Sequence, residues 1–278
     1  MKILSKEFLK QKKLGFSMIE LSVVLVVMGI MTVGMISLGT ATLESAKIAE
    51  TKSIIAKIQK AMIVYYKKNN SLPCPADGTL ALTDNNFAFE QKTNSSSDTT
   101  ISNATCSASY SNLISTVMYY GTVPTRTLKL PDYYAFDAWG NRITYNISKD
   151  CVDPDNWNSS HANICRKLAS PSLPGGSITI TDINLNPILD DAAYFLVSHG
   201  KNGVGAWRRA GGSTRIPSTA STSARETSNA HVNTSGVTSG YDILFRSDFI
   251  NDGDVTANYF DDITFWQTAE QVNFDANN

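Results

Sequence analysis

Lys13-Leu14-Gly15-Phe16-Ser17-Met18-Ile19-Glu20 opens onto Leu21–Gly39, which reads LSVVLVVMGIMTVGMISLG, and no charged residue follows Glu20 until Glu44. At about 1.5 Å of rise per residue, a helix over that run extends roughly 28 Å, close to the hydrocarbon thickness of a bilayer. Lys2, Lys6, Lys10, Lys12 and Lys13 precede it against Glu7 alone, a bias that predicts a cytoplasmic N-terminus. A buried core helix of this length would show a polar face. An ordinary signal peptide has a cleavage candidate at Gly39-Thr40-Ala41, but its apolar region would be shorter and would not begin with a carboxylate. A simple anchor has no use for Glu20, because an ionised group costs about 2.5–3.5 kcal/mol at mid-membrane.

Basic leader, Gly15, Phe16, Glu20 and apolar span in this register resemble the N-terminal signal of type IV prepilins and type II secretion pseudopilins. The resemblance implies that a prepilin peptidase cuts between Gly15 and Phe16 and methylates the new amine of Phe16. It implies that Glu20 is an assembly residue, neutralising the Phe16 ammonium of an adjoining subunit where hydrocarbon would penalise both charges. The implied partners are other pilin or pseudopilin subunits, the peptidase, an inner-membrane assembly platform and inner-membrane lipid. The expected location is a bacterial inner membrane, single-pass, with a periplasmic head and a filament that is periplasmic or extracellular. Many pilins carry a proline where this chain has Ser37; Gly29, Gly34 and Gly39 offer flexibility instead, each lowering helix stability by about 1 kcal/mol relative to Ala.

Past Gly39 the helical pattern continues. Ile48, Ile55, Ile58, Met62 and Tyr65 form one apolar stripe, with Glu44, Lys47, Glu50, Lys52, Lys57 and Lys60 as polar surface. Asn69-Asn70-Ser71-Leu72-Pro73 stops it. Alternating runs at Arg142–Ile147, Ser177–Ile183, Ala193–Ser198, Tyr241–Arg246 and Asp262–Trp266 then read as strands without a βαβ rhythm. The expected organisation is a removed leader (1–15), an apolar assembly helix (16–40), an amphipathic helix (41–70) and a β-rich head (71–278). Polar, turn-rich insertions are expected near 92–109 and 210–240. The fold class expected is α+β and, by the resemblance, pilin-like: a long N-terminal helix packed on an antiparallel sheet.

Three head stretches extend the resemblance toward major pseudopilins. They are Asp137-Ala138-Trp139-Gly140-Asn141-Arg142-Ile143-Thr144-Tyr145, the run from Ala193 through Ser198-His199-Gly200-Lys201-Asn202-Gly203, and Asp261-Asp262-Ile263. In residue terms Gly140-Asn141 is a tight-turn signal, and Trp139 is expected to pack on the helix. That family binds calcium before its closing acidic pair, so the resemblance makes Asp252, Asp254, Asp261 and Asp262 the candidate ligands, rich in the oxygen a hard cation needs. They do not follow the EF-hand order.

Cys74, Cys106, Cys151 and Cys165 all lie beyond the apolar segment and form no CxxC pair, which favours two disulfides in an exported domain over a metal site. Three connectivities are open; Cys74–Cys106 with Cys151–Cys165 brackets one polar loop each. The net charge of −1 and the lack of a head lysine cluster give no case for nucleic acid. His161, His199 and His231 are the only histidines, and neither a G-x-S-x-G elbow, a P-loop nor zinc-ligand spacing accompanies them, so no enzyme is expected. An assembling structural subunit of a secretion pseudopilus is the leading reading. A minor type IV pilin for adhesion, motility or DNA uptake is the alternative, and an anchored exported enzyme a more remote one.

Overall fold

Helix α1 spans Met18–Asn69, 52 residues. Over its second half the 3–4 spacing of apolar positions makes a single stripe: Ile54, Ile55, Ile58, Met62, Ile63 and Tyr66 are buried while Lys52, Lys57, Lys60, Lys67 and Lys68 are exposed. Asn70 ends the helix in the left-handed region, at φ 51°, with its N–H on the Tyr66 carbonyl at 2.8 Å. Pro73 follows three residues later. The computed structural model describes residues 15, 17–92, 106, 112–115, 118–148, 151–152, 178–182, 186–217, 223, 229, 243–246 and 259–278. Residues 32–41, 112–115, 190–191 and 243–246 are among these by backbone alone.

Seven strands form one sheet: β1 (Asn112–Ser115), β2 (Met118–Thr122), β3 (Thr144–Ser148), β4 (Ile178–Thr181), β5 (Pro187–Ser198), β6 (Ile243–Arg246) and β7 (Ile263–Thr268). The order is β1-β2-β3-β5-β4-β6, and β7 also pairs with β5. The long β5 makes this branching possible. Its C-terminal half lies between β3 and β7, with Leu196 opposite both Tyr145 and Phe265, while its N-terminal half turns to β4. Alternation along the strands sends Tyr145, Ile147, Tyr194, Leu196 and Ile263 to the core shared with α1. The intervening Met118, Tyr120, Phe195 and Val197 join Ile178, Ile180 and Trp207 in a second core. A short C-terminal helix, α2 (Ala269–Asn277), begins at a capping box between Thr268 and Gln271 and buries Val272 and Ala276 in the first core.

The expected pilin-like arrangement of a long helix on an antiparallel sheet is corrected on two counts. The fold is sheet-rich and its sheet is mixed, because β6 returns after a long connection and pairs with β4 in parallel. The chain also divides into two compact units, Met1–Ala46 and Lys47–Asn278, and only the part of α1 from Lys47 onward belongs to the unit that holds the sheet. The reason is periodicity: only beyond Lys47 does the helix carry a stripe with a polar opposite face. The strands expected at 142–147, 177–183, 193–198, 241–246 and 262–266 fall close to β3, β4, β5, β6 and β7. Strands β1 and β2, helix α2 and the turn of 3₁₀ helix at Asp132–Ala135 were not anticipated.

Cys74 is joined to Cys106. Cys151 is disulfide-bonded too, and its expected partner Cys165 lies outside the described residues. Beside the first bridge, Tyr65 of α1 donates to Glu90 at 2.9 Å, Glu90 accepts from the Cys74 N–H at 3.1 Å, and Lys92 pairs with Glu90 at 3.1 Å. The bridge therefore pins the chain where it leaves α1. Closing a loop over a separation of 32 residues contributes roughly 3–4 kcal/mol in the chain-entropy model. Replacing Cys74 and Cys106 by Ala should lower the unfolding free energy of the head by that amount in urea titrations, with an unchanged far-ultraviolet spectrum.

Candidate functional site

Two regions carry the residues singled out by the sequence. The first is a buried polar node that draws the three head stretches together. Asp137 stands at the turn before β3 and accepts, through Oδ1, the N–H groups of Trp139 at 3.0 Å and Asn141 at 2.8 Å. Its Oδ2 takes the Ser198 hydroxyl at 2.7 Å. The next residue, His199, shares a hydrogen bond of 2.8 Å between Nε2 and the Thr144 hydroxyl, and its Nδ1 lies 3.9 Å from Asp262. Asp262 accepts from Asn229 at 2.8 Å. Its neighbour Asp261 accepts the N–H groups of Lys201 at 2.7 Å and Asn202 at 3.1 Å, and the Tyr259 hydroxyl at 2.8 Å.

Gly200 is required where these stretches cross. It sits at φ +56°, and a Cβ there would stand 2.4 Å from the Asp261 carbonyl oxygen. Asn141 closes the crossing by donating to the Gly200 carbonyl at 2.7 Å. The turn is also fixed to α1, since the Ala138 N–H donates to the Thr51 hydroxyl at 3.2 Å. Trp139, expected against the helix, packs on the core that α1 shares with the sheet.

Ser198 and His199 are wholly buried and bond in different directions, one to Asp137 and the other to Thr144. The node thus holds no serine–histidine pair set for nucleophilic attack. Of the calcium candidates, Asp261 and Asp262 serve as acceptors for N–H and O–H groups of the protein, and Asp252 and Asp254 lie outside the described residues. No group of three or more metal-ligating acidic, histidine or cysteine side chains occurs among the described residues. The contributions of Ser198, Thr144, Asn141 and Asn229 were not legible beforehand; the three quoted stretches contain the first three, but nothing in the sequence says that they meet.

The second region is the start of α1. Gly15 and Glu20 are exposed, and Phe16 lies outside the described residues. From Met18 to Met31 the large apolar side chains are exposed on every side, including Ile19 at 75% and Ile30 at 71%. Such a surface in water would be covered by lipid or protein. Among the described residues no helix is long and apolar enough to cross a membrane; the side chains at 32–41, which complete the expected span, lie outside them. Compared with protein-family models, curated proteins and solved structures, the chain matches none.

Burial raises the Asp137 pKa to about 6, against the opposing pull of its hydrogen bonds from Ser198 and the backbone. Because the folded state holds this proton more tightly than the unfolded chain, stability is greatest below about pH 4 for this group and is lost as pH rises through about 6. The loss is of the order of 3 kcal/mol. Asp137→Asn keeps an acceptor for Trp139 and Asn141 and no longer titrates. Urea titrations from about pH 4 to pH 7 should show a shallower fall in stability for the variant than for the parent chain.

Proposed function

We propose that this chain is a prepilin-like structural subunit, cut after Gly15, that assembles into a pseudopilus of a type II secretion system. The observation that carries this reading is Glu20: it is the only charged residue between Ser17 and Leu43. It stands at the start of α1, where the large apolar side chains from Met18 to Met31 are exposed all round. A carboxylate so placed needs a cationic partner in an apolar setting, and the amine freed at Phe16 by cleavage supplies one on a neighbouring copy. The apolar run through Gly39 anchors the subunit in the inner membrane before assembly, with the lysine-rich leader cytoplasmic. The prepilin peptidase and an assembly platform are the implied partners. The secretion branch is preferred over a type IV pilus because the three stretches resembling major pseudopilins converge on one node.

Two outcomes test this. Protein recovered from its native membrane should begin at N-methylated Phe16 in intact-mass and peptide analysis; a terminus at Met1 or Thr42 would overturn the proposal. Glu20→Ala and Glu20→Gln should both be cleaved and retained in the membrane. Their recovery in sheared filaments, or in crosslinks to other pilin-like subunits, should fall at least tenfold, since an unpaired buried charge costs several kcal/mol.

A further inference from the structure

Lys57, Lys60, Lys67 and Lys68 surround Val64 on one exposed face of α1, at steps of 3 or 4 residues. Val64 is 67% exposed, and no carboxylate occurs from Thr51 through Asn70. The C-terminal region has the opposite character, with seven carboxylates and no lysine or arginine from Ser247 to Asn278. Glu270, Gln271, Phe274 and Asp275 of α2, with Gln267 at the end of β7, line a groove of about 520 Å³. Phe274 is 69% exposed at its side. None of these four lysines, nor Glu270 or Asp275, enters an ion pair among the described residues.

Each patch is an exposed apolar side chain ringed by charge of one sign, and the two signs are opposite. We infer that the lysine face of α1 docks on the α2 groove of a second copy of this chain, Val64 meeting Phe274 and the lysines facing Glu270 and Asp275. The two patches are different surfaces, so the contact is head-to-tail and leaves one of each free for the next copy, as an open polymer requires. The inference deepens the filament reading and rests on it. Opposite charges around a small apolar centre set the orientation of approach more than the strength of the contact.

The test uses the full chain in its native membrane, as two differently tagged copies. A carbodiimide, which joins a lysine amine to a carboxylate as an amide, should give doubly tagged species containing a peptide from Lys57–Lys68 linked to Glu270 or Asp275. Lys60→Glu and Glu270→Lys should each lower co-recovery of the tags by roughly fivefold to tenfold, and the two together should restore it. Doubly tagged species lacking those linkages, linkages confined to singly tagged chains, or a double variant no better than the singles would overturn the inference. The N-terminus is read from the same samples. A start at Phe16 with any of those failures leaves the filament reading standing without this contact, whereas a start at Met1 removes both.

Discussion

The hydrogen bonds that Asp137 accepts hold the head together, because they gather backbone from separate parts of the chain. One oxygen shapes the turn from Asp137 to Asn141, and the other fixes the end of β5 through Ser198. The same turn is bound to α1 through Thr51. Helix, turn and central strand are thereby set in one register. Hydrophobic contact alone is non-directional and would leave the helix free to slide along a sheet face. The polar contacts add what apolar packing lacks, a fixed point. They do so against desolvation, which is why the Asp137 carboxyl holds its proton more tightly than usual.

A second buried charge follows a similar logic at the far end of the same turn. The Arg142 side chain is wholly buried and lies against Phe87, its guanidinium 5.0 Å from the ring centre, while donating to the carbonyls of Leu80 and Arg209. Burial lowers its pKa to about 10, with Asp77 pulling the other way, so the group remains a cation at neutral pH. It thus connects the segment within the first disulfide loop to the segment that carries Trp207 into the second core. Arg215 lies over Trp207, 4.2 Å from the ring centre, on that second face. Cation–π contacts of this kind gain strength where water is excluded.

The sequence made the helix legible wherever the pattern was local. The stripe from Ile55 to Met62 and the stop at Asn70 and Pro73 follow from spacing and turn chemistry within a few residues. The later strands were legible for the same reason. What escaped was non-local: β2 is a short strand that is buried along its length and pairs with a strand far along the chain, Tyr120 opposite Asn146. The parallel pairing of β4 with β6 depends on a long return that no local signal encodes. Trp207 belongs to a turn-rich stretch, and its role in a second core follows only once β5 is seen to bury both faces. In the polar node, Asp137 reads as turn chemistry, Ser198 as a strand end and Asp262 as a candidate calcium ligand; their convergence is a property of topology.

Burial on both faces limits how copies of this chain can meet. Among the described residues, β2 and β3 are buried along their whole length, so these two strands offer no apolar surface for a neighbour. Most of the large exposed apolar side chains are instead on the first half of α1, and the others, Val64, Phe274, Tyr133 and Ile188 among them, are scattered over the rest of the described residues. In a filament, the first half of α1 would supply most of the buried area and the Glu20 pairing would select its register. The head would contribute orientation through charge, which decays over about 8 Å at physiological salt and acts only when copies are already close. Such a division of labour suits a subunit that must be held by lipid before it is held by neighbours. On that reading the apolar helix would pass from one apolar surrounding to another at little cost, while the charged patches would stay in water until they meet.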